Sequence, residues 1–207
     1  MNKTLNTLIA TTLLATAGQA FAASSTTLTV KGVITPSSCT PQLSNGGKVD
    51  YDKISAKDLN VDTPTSLPLK TLQLTVTCDA ATLMAIEAKD NREGSDNHND
   101  PMEFGLGLIN GSEKLGNMTL RLLAPVADTV AARTIGSYDG GSTWSIERFF
   151  MRDNILSVAN TSTVAPIPVQ MFSADLYVDP EIAPASQLTL TNEVTIDGSV
   201  TLTVKYL

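Results

Sequence analysis

Two segments at opposite ends of the chain alternate apolar and polar residues. Leu28-Thr29-Val30-Lys31-Gly32-Val33-Ile34 lies near the start, and Val200-Thr201-Leu202-Thr203-Val204-Lys205-Tyr206-Leu207 closes the chain. A period of two puts alternate side chains on one face, so both segments predict strands with one face for a core. Between them the same texture recurs. Residues 71–78 set Leu72, Leu74, Val76 and Cys78 on one face, and residues 83–88 and 117–122 predict further strands. Phe104-Gly105-Leu106-Gly107-Leu108-Ile109 runs into Asn110-Gly111, a strong hairpin-turn signal. Residues 143–146 follow the turn at Asp139-Gly140-Gly141. Residues 164–177 predict a long strand, with Pro166 and Pro168 forcing an edge position or a bend near its start. Residues 188–190 and 194–196 complete the set. No stretch holds a sustained helical period with caps, although residues 55–60 allow a short helical turn. Many short strands at near-regular spacing predict a single all-β sandwich.

The first 22 residues depart from this pattern. Lys3 supplies a positive start, residues 5–14 are mostly apolar, and Ala20-Phe21-Ala22 is a small-residue cleavage signal. Residues 1–22 are therefore expected to be a signal peptide, removed on export. No later run approaches the ~18 apolar residues of a membrane span, so a chain that does not span the membrane is expected. The 185 residues left suit one domain. Removing Lys3 takes the basic residues from 14 to 13 against 21 acidic ones, a net charge of −8. Such a chain offers no electrostatic footprint for nucleic acid, and none is expected as a partner.

Export changes the reading of the cysteines. Cys39 and Cys78 are the only two, and an even count in an exported chain predicts one disulfide. Candidate chemistry is sparse. The one histidine, His98, stands in the polar run 89–101, which is expected to be an exposed, mobile loop. Asp90, Glu93, Asp96, Asp100 and Glu103 are oxygen donors, but their spacing does not match a calcium loop, so no metal is expected. Gly105-x-Gly107 lies in an apolar context and predicts close backbone packing, not a phosphate cradle. Trp144, Phe149 and Phe150 are expected in the core, with stacking on a sugar as the alternative. No enzyme activity and no cofactor are expected.

Taken together, these features resemble the pilin subunits of the chaperone–usher pathway of Gram-negative bacteria. The resemblance rests on an exported, acidic, Thr-rich β chain with Gly32 seven residues before Cys39, a second cysteine at 78, and the penultimate Tyr206. Within that group the middle of the chain, residues 90–95 and 104–107, is similar to the GltF-like proteins encoded in fimbrial operons. The resemblance implies an incomplete immunoglobulin-like β-sandwich over residues 36–207 that lacks its last strand and carries an apolar groove. It implies an N-terminal extension, residues 23–35, whose Leu28, Val30, Gly32 and Ile34 enter a neighbour's groove by β-strand addition. Val200, Leu202, Val204 and Tyr206 match the strand that borders the groove and meets the chaperone. A periplasmic chaperone, an outer-membrane usher and neighbouring pilin subunits are the implied partners. The implied location is the periplasm, then the fimbrium. A structural, minor subunit is the expected role. The alternatives are a freestanding periplasmic pilin-like binding protein and a secreted sugar-binding module.

Overall fold

A computed structural model describes residues 26–32 and 38–207. The chain divides into two units, Met1–Ile34 and Thr35–Leu207. Within the first, residues 26–32 carry no regular secondary structure. The expected signal peptide, Ile34 and the rest of the extension lie outside the described residues.

The second unit is built from fourteen strands. In chain order they are β1 (Cys39–Leu43), β2 (Thr65–Ser66), β3 (Lys70–Thr82), β4 (Met84–Asp90), β5 (Phe104–Gly105), β6 (Leu108–Ile109) and β7 (Glu113–Lys114). These are followed by β8 (Gly116–Ala127), β9 (Val130–Ala131), β10 (Arg133–Ser137), β11 (Ser145–Ile146), β12 (Ile155–Ala159), β13 (Val169–Ile182) and β14 (Val200–Tyr206). One antiparallel sheet runs β1-β3-β13-β8-β5, with β2 on β13 and β9 on β8. The other runs β11-β10-β12-β4-β14, and β6 and β7 form a separate hairpin. The only helical elements among the described residues are three short 3-10 turns, one of them at Ala56–Asp58 within the expected span. The all-β sandwich is as predicted.

Period-two burial explains the long strands. In β3, Leu72, Leu74, Val76 and Cys78 are buried while Thr71, Gln73 and Thr77 are exposed. In β13, Phe172, Ala174, Leu176 and Val178 face the same core. Opposite them lie Met84, Ile86, Leu156 and Val158 of the second sheet, with Phe104 and Phe150 fully buried between. Cys39 pairs directly opposite Cys78 in the β1–β3 ladder, and the two form the predicted disulfide. Between β6 and β7, Asn110 and Gly111 both take positive φ (50° and 89°), as the hairpin turn demands.

Four expectations are corrected. The long strand begins at Val169, after Pro168, and lies between β3 and β8, not at an edge. Pro166 and Pro168 fall before it because neither can donate to a ladder. Pro180 does lie within it, where its carbonyl accepts from Leu67 N–H at 2.9 Å. Residues 188–190 and 194–196 are not strands, although Leu188, Leu190, Val194 and Ile196 pack half-buried on the core. Strands β10 and β12 were not foreseen. Both are buried on nearly every residue, so neither alternates.

The fourth correction concerns the polar run 89–101. Asp90, Ser95 and Asp96 are buried, so it is not a uniformly solvated loop. Asp96 accepts from Arg152 Nη1 at 3.0 Å, and its carbonyl accepts from Lys114 Nζ at 2.8 Å. Asp90 Oδ2 accepts from Gly105 N–H at 2.9 Å, and Ser95 Oγ accepts from Gly107 N–H at 3.1 Å. A Cβ at Gly105 would collide with Ser95 Oγ and the Arg92 carbonyl, which is the close packing expected of that glycine. Polar residues are buried here because Asp90, Ser95 and Asp96 each find hydrogen-bond partners, some of them far along the chain.

Candidate functional site

Strand β14 ends the second sheet. It pairs with β4 along its whole length, from Val200 opposite Asp90 to Tyr206 opposite Met84. Among the described residues no strand pairs with its other edge. That edge presents a row of unpaired backbone donors and acceptors. Val200, Leu202 and Val204 are half-buried against the core, while Thr201, Thr203 and Lys205 are exposed. An apolar face beside a free edge is the arrangement that accepts a further strand.

The space along this edge is a groove between the sheets. Its narrow part, about 250 Å³, is lined by Leu43 and Leu72 on one side, Leu120 and Leu176 below, and Val200 and Leu202 of β14. Beside it lies a wider, mixed part of about 560 Å³, lined by Val49, Ile54, Leu59, Leu190 and Val194 together with Asp50, Asp52, Lys53, Asn192 and Glu193. Val49, Tyr51 and Ile196 line both, so the two are continuous. The non-strand residues 190–196 thus form a wall of the groove. Burial, with the nearby Asp179 carboxylate adding to it, raises the Tyr51 hydroxyl above its usual pKa. At the rim, Lys53 and Glu193 form an exposed ion pair at 2.9 Å across the wide part. At the other end, Tyr206 Oη accepts from Cys39 N–H at 2.9 Å.

Val200, Leu202, Val204 and Tyr206 all lie on β14; Val200 and Leu202 line the groove, while Val204 is half-buried beyond it and Tyr206 is exposed. Leu28 and Val30 of the N-terminal unit are 88% and 87% exposed. A Cβ at Gly32 would meet no described atom within 4 Å. Ile34 lies outside the described residues.

Other candidates are accounted for by local packing. His98 Nδ1 lies 2.8 Å from Glu103 Oε1, and this hydrogen bond raises the imidazole above its usual pKa. Phe150 is in the core. Phe149 and Tyr177 flank the Arg121 guanidinium at 5.9 and 5.4 Å, a stacked arrangement on the outer side of the first sheet. Trp144 donates Nε1–H to the Gly141 carbonyl at 3.0 Å. Among the described residues, no group of three or more His, Cys, Asp or Glu is placed to hold a metal ion.

Sequence reasoning missed the contacts that hold the groove wall in place. Arg92 donates twice to Asp197, Nε to Oδ2 at 2.9 Å and Nη2 to Oδ1 at 2.8 Å. The pair raises Arg92 and lowers Asp197 relative to their usual pKa values. The two residues stand 105 positions apart, and no local pattern links them.

Comparison with known proteins gives three matches. Residues 28–138 match a family described as "Protein of unknown function (DUF1120)". The chain is 26% identical to Protein GltF of Escherichia coli strain K12, over 88% of each chain. It is 36% identical over 85 residues to the uncharacterized protein YhcF of the same strain, covering 38% of this chain and 36% of that protein.

Proposed function

The chain belongs to the DUF1120 family, and we propose that it is a structural, minor fimbrial subunit that works by non-covalent strand exchange. The observation that carries this reading is the pairing of need and supply within one chain. Strand β14 leaves one edge unpaired beside an apolar groove, while Leu28 and Val30 expose apolar side chains on one face of a segment that pairs with nothing described. The sandwich is then an incomplete immunoglobulin-like fold over residues 36–207, preceded by a signal peptide (1–22) and a donor extension (23–35). A periplasmic chaperone fills the groove first. At the outer-membrane usher, the Leu28, Val30, Gly32 and Ile34 face of the next subunit replaces it. The disulfide supports export to an oxidising compartment, the periplasm, from which the chain would pass into a surface fibre.

The energetics favour such an exchange. Burying Leu28, Val30 and Ile34 contributes on the order of 5 kcal/mol or more, at ~1.5–3 each, before main-chain bonds along the edge are counted. Gly32 would sit where the groove is shallow. The role is binding and assembly without catalysis, cofactor or metal.

Size-exclusion of the mature protein with and without a fimbrial chaperone tests the reading. A stable one-to-one complex that is lost in Val204→Asp supports it. A stable monomer that ignores the chaperone would instead support a freestanding periplasmic protein.

A further inference from the structure

One wall of the groove is tied to the polar loop 89–101. Ile196 lines both parts of the groove, and Gly198, Ser199, Val200 and Leu202 line the narrow part. Among the described residues, residues 197–201 are held by the polar loop, by Leu106 and, from Val200 on, by the ladder to β4. Asn91 N–H donates to the Ser199 carbonyl at 2.9 Å. The Asn91 amide donates to Ser199 Oγ and Thr201 Oγ1 at 3.0 and 2.9 Å. Asp197 N–H donates to the Leu106 carbonyl at 3.0 Å, and the Asp197 carboxylate takes both Arg92 bonds.

An apolar slot tends to close, because closing it buries apolar surface and restores dispersion contacts. Something must oppose that tendency. A bidentate guanidinium–carboxylate pair fixes orientation as well as distance. Here the backbone that carries the guanidinium is held within the loop. Asp90 Oδ1 accepts from Arg92 N–H at 2.7 Å, and the Arg92 carbonyl accepts from Ser95 Oγ at 2.7 Å. The buried Asp96–Arg152 pair anchors the far side of the same loop.

We propose that Arg92 and Asp197 are positioning residues for strand capture: they hold the wall from behind, so the groove stands open before any strand enters. The claim rests on reading the groove as a strand acceptor. It gives the polar loop a role, since the loop is the mount for the clamp.

The test uses the mature protein as wild type, Arg92→Gln, Asp197→Asn and the double variant. Hydrogen exchange reads the wall itself. A dye-labelled peptide of residues 23–36 reads capture by fluorescence anisotropy. Each single variant should raise exchange at residues 197–202 and slow peptide capture, each by about fivefold, the scale of one partly exposed ion pair. The double variant should be no worse than either single one, because the pair acts as a unit. Exchange near Met84 and Tyr206 should not change. Unchanged exchange at the wall, or a uniform rise across the protein, overturns the positioning role. Equal capture rates in wild type and variants overturn it as well. A wall that loosens in the variants while wild type takes up no peptide refutes the strand-acceptor reading and, with it, a role in capture.

Discussion

Tyr206 accepts a hydrogen bond from the Cys39 backbone N–H at 2.9 Å, joining the last strand of one sheet to the first strand of the other. Tyr206→Phe removes the acceptor and keeps the ring. It should lower stability by about 1 kcal/mol, the net value of one such bond. Urea unfolding with an unchanged slope is the measurement. A midpoint equal to that of wild type would mean that the bond holds nothing.

The disulfide fixes the same corner from the other side. Cys39 and Cys78 are bonded and lie opposite each other in the ladder. Cys39→Ser should cost ~2–5 kcal/mol and lower the yield of folded protein. Mass spectrometry of the exported protein under non-reducing conditions should find no free thiol. Two free thiols would contradict the assignment.

Arg152 is the partner of a fully buried carboxylate. Its side chain is 14% exposed and that of Asp96 is 0% exposed. Arg152→Ala leaves the Asp96 charge uncompensated inside the protein, and a loss of about 3–5 kcal/mol is expected by chemical denaturation. A change below about 1 kcal/mol, the range of an exposed pair, would show that the carboxylate is better solvated than its burial implies.

The pH dependence of the loop follows from His98. Its hydrogen bond to Glu103 raises the imidazole above its usual 6.5. A raised folded-state value means that the stabilisation is fully present below about pH 6.5 and is lost as pH rises through the folded value. The melting-temperature difference between wild type and His98→Asn should therefore be largest near pH 5.5 and shrink by pH 8.5. A difference that grows with pH would contradict the assignment.

Alternation made the cores of β3, β8 and β14 legible, because each packs one face and leaves the other in water. Strands β10 and β12 were not legible, since Thr134 to Ser137 and Leu156 to Ala159 are buried without a break and so show no period. Residues 188–190 and 194–196 read as strands and are not, because Leu190, Val194 and Ile196 line the groove and do not join a ladder. The buried polar loop escaped notice for a different reason. Its compensating partners, Arg152 and Asp197, lie 56 and 105 residues away from Asp96 and Arg92. The site itself was half legible. The terminal strand could be read from its period, but its free edge depends on sheet order, which no local pattern contains.

The central claim is that this groove receives the extension of another subunit, and Gly32→Leu tests it most directly. The substitution meets no described atom of its own chain, so folding and chaperone binding should be unchanged. The measurement is the ladder of SDS-resistant multimers on unboiled gels, from cells making the protein with its chaperone and usher. Wild type should form the ladder and Gly32→Leu should not, while both co-purify with the chaperone. A full ladder from Gly32→Leu, or no ladder from wild type, would contradict the claim.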